Sequence, residues 1–95
     1  MSKLTKLARD RECQVRLPCC NHNVETTVLA HYRLAGTCGI GMKPNDLQGA
    51  WACSACHDEI DRRTRIFESE FVRLAHAEGV MRTIDILIKE GAIKC

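Results

Sequence analysis

Cys53 and Cys56 stand three residues apart in Cys53-Ser54-Ala55-Cys56-His57, and no other feature limits the possible folds so sharply. Two thiols at that spacing on a tight turn present both sulfurs to one tetrahedral ion, which needs two more ligands. Cys13 and Cys20, about one knuckle apart ahead of the first expected strand, are placed to supply them. A structural zinc there would tie the N-terminal segment to the start of a helix and add on the order of 10 kcal/mol to folding. The chain needs that help. Its 95 residues make one domain, 1–95, with a limited core, and Tyr32, Trp51, Phe67 and Phe71 are its only aromatic side chains.

The remaining thiols are less specific. Cys19 and Cys38 compete for a place in the same site, although adjacent Cys19 and Cys20 diverge and do not readily share an ion. The plainer alternative makes Cys13 and Cys20 small buried apolar residues. Seven cysteines ending at Cys95, an odd number, do not suit a secreted disulfide framework. The N-terminus has no apolar stretch long enough for a signal peptide, and no run approaches a membrane span. The expected location is therefore cytoplasmic, with reduced thiols available to a metal and no membrane partner.

The net charge of +2 says little, but its distribution is uneven. Lys3, Lys6, Arg9, Arg11 and Arg16 crowd the start, where a solvated surface is the simplest account. Arg62, Arg63 and Arg65 follow the cysteine motif.

Residues 3 to 9 fit a short helix with Leu4, Leu7 and Ala8 on one side. Glu12 to Leu17 reads as a short strand or knuckle, and residues 18–23 as a turn. Thr26 to Tyr32 is the best strand. Gly36 to Gly49 is a glycine-punctuated hairpin loop, and Ala50-Trp51-Ala52 a second strand. A helix is expected over 54–63, with Ser54 as its N-cap, acidic residues near its start and arginines near its end. Two packing helices follow: one with Phe71, Leu74 and Ala75 inward, stopped at Gly79, the other with Ile84, Leu87 and Ile88, stopped at Gly91. The class is α+β, a core over 13–65 followed by a helical packing extension over 66–95.

A second constellation overlaps the first. His57 and Asp61 are four apart on the expected helix and share a face, a bite for a divalent ion. Cys56 and His57 point about 100° apart around the helix, so a thiol and an imidazole can serve different sites. The plainer account is a surface ion pair, or His57 as a further zinc ligand. His31, at a strand end, has a neutral imidazole able to take a proton from water near neutral pH, although such a histidine is commonly structural. His22 and His76 suggest no role.

The order strand, loop, strand, helix resembles the ββα-metal, or HNH, nuclease family. The residues that carry it are Ala30-His31-Tyr32-Arg33, the stretch Gly39-Ile40-Gly41-Met42-Lys43-Pro44-Asn45-Asp46, and Cys53-x-x-Cys56-His57. A prophage-encoded nuclease of this kind is similar over nearly the whole length, including Arg11-Glu12-Cys13-Gln14-Val15-Arg16 and the run from Cys56 to Arg63. The resemblance implies a small zinc-stabilised ββα-metal domain in which His31 is the general base. It also implies that Asn45 or Asp46 braces the hairpin loop. His57 is then a ligand of a catalytic divalent ion such as magnesium, with Asp61 where some members place another histidine. Four cysteines matching Cys13, Cys20, Cys53 and Cys56 hold the structural zinc. Ala30 stands where many members carry a further metal ligand, which leaves water and substrate phosphate to complete the coordination.

The function expected on this basis is metal-dependent hydrolysis of DNA phosphodiester bonds in prophage-type processing or recombination. Arg33, Lys43, Arg62 and Arg63 would neutralise flanking phosphates. Two other classes use the same residues. A zinc-stabilised nucleic-acid-binding module would need no catalysis. A c-type haem protein would use Cys53-x-x-Cys56-His57 with Met42 or Met81 as distal ligand. That last reading requires export and leaves five cysteines idle, so no haem is expected.

Overall fold

The computed structural model describes residues 3–34, 36 and 45–93. Its frame is a two-stranded antiparallel sheet, β1 (Val28–His31) and β2 (Gly49–Ala52), with Leu29 opposite Trp51 and His31 opposite Gly49. Three helices accompany it: α1 (Lys3–Leu7), α2 (Ser54–Ile60) and α3 (Ser69–Lys89). The architecture is α+β, and no helix among the described residues is long and apolar enough to cross a membrane.

All four residues of β2 are buried, because both its faces and its outer edge are covered. The Trp51 carbonyl accepts from Gln14 N–H at 2.7 Å, and Trp51 N–H donates to Thr83 Oγ1 at 3.1 Å. Segment 13–17 thus lies along β2 with Cys13, Val15 and Leu17 inward, a knuckle and not a strand. A strand edge closed in this way pairs both backbone groups of Trp51 and leaves no open template for another chain there, although the buried indole Nε1–H of Trp51 has no hydrogen-bond partner among the described residues.

The C-terminal third departs from expectation. It is one helix of 21 residues, not two, and Gly79 lies in its middle. The glycine permits close approach instead of ending the helix: a Cβ there would sit 3.1 Å from Gln14 O and Val15 Cα. The buried face is Val72, His76, Gly79, Thr83 and Leu87. Phe71 and Leu74, expected inward, are 47% and 59% exposed. Small and polar residues were overlooked because the helix seats on the knuckle backbone, where a bulky side chain does not fit.

Helix α2 is also shorter than expected, ending at Ile60. Arg62 adopts a left-handed φ of 60°, and Arg63 N–H reaches back to Asp58 O at 2.9 Å, a helix-terminating turn. Glu59 is fully buried beneath this turn. Burial alone raises its carboxyl pKa, but hydrogen bonds from Thr64 Oγ1 and the N–H groups of Phe67 and Ile66, with nearby Arg62, outweigh it and hold the pKa below the usual value. The N-cap is Cys53, whose Sγ accepts from Cys56 N–H at 3.4 Å, and not Ser54. Ser54 instead accepts from Asn21 Nδ2 at 2.9 Å, fastening the turn before β1 to the helix.

Candidate metal centre and adjoining cavity

The sulfurs of Cys13, Cys20, Cys53 and Cys56 lie within 4.8 Å of one another, and Cys20 and Cys53 approach to 3.6 Å. Four thiolates around one tetrahedral ion with bonds of about 2.3 Å would be about 3.8 Å apart, so the cluster could hold a metal ion such as zinc. Two buried cysteines come from the head of α2 and the other two from the knuckles before β1. Each knuckle contains a left-handed residue, Arg16 (φ 56°) and His22 (φ 55°), whose N–H donates to the nearby sulfur of Cys13 or Cys20. Such conformations cost about 1–2 kcal/mol each in residues other than glycine. Here they turn backbone donors toward sulfur.

The electrostatics of the cluster show what it lacks. A hydrogen bond from Cys56, together with backbone N–H groups, outweighs burial and pulls the Cys13 thiol down to about 4. Cys56 is pushed far up, first by its role as donor to Cys13 and then by burial. Cys20 is pushed up to about 11 by burial and by the neighbouring thiols. A divalent cation would stabilise all four as thiolates. Cys19 packs against the surrounding core but is outside the group of four, and Cys38 lies outside the described residues.

On the other side of α2 the acid–base residues are arranged in pairs. His57 Nε2 is 3.2 Å from Asp61 Oδ2. His31 Nε2 is 2.7 Å from Asp46 Oδ1, the neighbour of Asn45, whose own side chain caps the 3-10 turn 46–48 through Leu47 N–H at 3.0 Å. His31 and Asp61 line one cavity of about 180 Å³, together with Tyr32, Arg33, Ile60, Arg73 and His76. Among the described residues the cysteine cluster is the group of three or more such side chains placed to share an ion, and it includes neither His57 nor Asp61. Lys43 and Met42 lie outside the described residues.

Two of the expected phosphate-binding arginines are already engaged. Arg62 lies 3.9 Å from buried Glu59 and donates to Phe67 O at 3.1 Å. Arg63 pairs with Asp58 at 3.3 Å and lies 3.7 Å from Asp61. Arg33 is exposed at the cavity rim.

Residues 73 and 76 of α3 escaped the sequence reading. His76 is buried, and its ring nitrogen Nε2 is 2.8 Å from Ala30 O. Burial holds its imidazole pKa below the ordinary value, so the ring is neutral with Nε2–H donating to the carbonyl. The same ring packs against Tyr32 in a tilted contact, with centroids 5.0 Å apart and planes at 50°. His76 therefore grips the residues on both sides of His31. Only its helical spacing from Val72, Gly79 and Thr83 could have marked it as inward.

A family profile described as "Putative nuclease YbcO" matches residues 2–92. The chain belongs to the YbcO family. It is 57% identical over 95 residues to "Putative nuclease YbcO" of Escherichia coli (strain K12), covering 99% of each chain. The same identity and coverage hold for the "Putative nuclease ybcO" of Enterobacteria phage 82, which agrees with the expected phage setting. A solved structure described as "a putative bacteriophage protein from Escherichia coli str. K-12 substr. MG1655" superposes with a TM-score of 0.80 at 50% identity. The match covers 93% of this chain and 99% of that one. The fold described above is therefore shared within the YbcO family.

Proposed function

We propose that this YbcO-family protein is a metal-dependent endonuclease of the HNH type that hydrolyses DNA phosphodiester bonds. The observation that carries the reading is the cavity in which His31, oriented by Asp46, faces the same space as Asp61, itself paired with His57. The nuclease name of the relatives from Escherichia coli and phage 82 supports it.

His31 takes a proton from a water that attacks phosphorus. A P–O bond forms, the bond to the 3′ oxygen breaks, and that oxygen leaves with a proton from solvent. Asp46 accepts the Nε2–H of His31, which fixes the tautomer and leaves Nδ1 as the base. His57 and Asp61 suit a divalent ion such as magnesium: cis donors on an octahedral ion at about 2.1 Å stand about 3 Å apart. Bound there, the ion supplies charge neutralisation at the phosphate and leaving oxygen. The four cysteines would hold zinc in a closed site with no vacant position for substrate, so its part is structural.

Nicking of supercoiled plasmid with magnesium or manganese tests this. The parent should nick, and His31→Ala should lose activity by at least about a hundredfold. Equal cleavage by His31→Ala would overturn the assignment. A second reading, a zinc-stabilised DNA-binding module without catalysis, is favoured by the pairing of His57 and Asp61 without a third nearby donor. Its signature is DNA binding with no cleavage under either metal.

A further inference from the structure

Arginines are numerous here, and their pairing separates them. Arg11 pairs with Glu90, Arg62 with Glu59, and Arg63 with Asp58 and Asp61. Arg82 is spent on Gln14 O, at 2.6 and 2.9 Å. Arg73 differs. It is exposed, its guanidinium lies over the Tyr32 ring at 5.7 Å, and Nη2 donates to Tyr32 Oη at 3.4 Å. No carboxylate among the described residues pairs with it, yet it lines the cavity shared by His31 and Asp61.

An arginine stacked on an aromatic ring loses much of its rotamer freedom before any ligand arrives, and its remaining N–H groups form a fork that matches two oxygens of a phosphate. The ring itself is fixed from behind by His76, 5.0 Å away. The platform is therefore built into the helix–strand contact and is not a chance surface placement. A carboxylate partner would cancel the charge; without one, Arg73 and Arg33 outnumber Asp61 among the charged residues that line the cavity.

We propose that Arg73, held on the Tyr32 ring, binds a backbone phosphate of the nucleic acid next to the scissile one, a role that the cysteine-proximal Arg62 and Arg63 are too engaged to fill. The assignment rests on the nuclease reading of the cavity for its neighbours, but its own test is one of binding. Arg33, exposed on the same rim, provides a second cationic contact.

The experiment is fluorescence anisotropy with a labelled duplex oligonucleotide at several potassium chloride concentrations, in the His31→Ala background so that the duplex stays intact. Arg73→Gln should weaken binding about tenfold and lower the slope of log affinity against log salt by about 1, the loss of one phosphate contact. Arg73→Lys should keep the slope and lose several-fold in affinity, because charge is retained without the fork or the stack. Tyr32→Leu should resemble Arg73→Lys. Arg9→Gln, an equal charge change at an exposed residue lining a different cavity, serves as control. If Arg73→Gln matches Arg9→Gln in affinity and slope, the proposal is wrong, even if the parent nicks plasmid. If Arg73→Gln shows the loss while plasmid is never nicked, the phosphate contact stands and the catalytic reading falls. Failure of the otherwise intact protein to bind duplex overturns both. Far-ultraviolet dichroism and thermal midpoints of each variant, expected to match the parent, check that the fold is intact.

Discussion

Single side chains in this protein hold the strand end that carries His31 from behind. His76 donates to Ala30 O and packs at a tilt against Tyr32, so one buried imidazole contacts the residues on both sides of His31. Its pKa is lowered by burial, and the sign of the resulting pH dependence follows. The unfolded chain takes up a proton at about pH 6.5 that the folded chain refuses, so stability is present above that pH and declines as pH falls below it. His76→Gln keeps a donor for Ala30 but cannot titrate. Denaturation midpoints of parent and variant should therefore converge as pH is lowered from about 7.5 to 5, with effects at the cysteines common to both. A gap that stays constant over this range rules out His76 as the titrating group. His76 was illegible in the sequence because a histidine carries no apolar signal, and its partner is a backbone carbonyl 46 positions away. His31, His57 and Asp61 were conspicuous by contrast, since spacing on one helix and position at a strand end are local properties. The His31–Asp46 pair was visible only as an ambiguity between Asn45 and Asp46. The structure divides the work: one caps the turn and the other reaches the imidazole.

Among the elements, α3 shows best what a pattern of apolar residues conceals. Phe71, Leu74 and Ala75 form a tempting stripe, but the helix turns its small and polar residues inward, because its seat is the backbone of the knuckle. Gly79, which looks like a stop, is the point of closest approach. Gly79→Ala would ordinarily gain about 1 kcal/mol of helix propensity. Here the added methyl meets Gln14 O, Val15 Cα and Val15 Cγ2 at 3.1 Å, and two of those atoms belong to backbone anchored beside β2. The substitution is expected to destabilise by about 1 kcal/mol net, as overpacking does, and to shift the urea midpoint downward. An upward shift would show that the knuckle yields. The strands and α2 were legible because β-branched runs, the loop glycines and the Cys-x-x-Cys turn are short-range signals. The length of α2 was not, since it is cut off by the turn that buries Glu59, a tertiary demand.

At the scale of the whole molecule, the cysteine cluster joins the segment before β1 to the start of α2 and so closes the first half of the chain on itself. The purified protein is expected to carry one tightly held zinc, measurable by elemental analysis. Removing it with a chelator under reducing conditions should abolish the cooperative thermal transition, and adding zinc back should restore it. Cys13→Ser should lose the metal and the transition together. A metal-free chain that melts where the parent melts would show that packing alone suffices. The four sulfurs, Cys20 among them, were named from the sequence with Cys19 as a competitor, and the knuckle geometry leaves Cys19 outside the cluster.

Consider finally the order in which a ribosome would release these parts. Cys13 and Cys20 emerge before their partners Cys53 and Cys56, and α3, which packs on the knuckle, follows all four. Capture of an ion by all four sulfurs would therefore have to await α2, and the seating of α3 on the knuckle would follow it. How much of this protein accumulates in a metal-starved cell should depend on zinc supply more than on transcription.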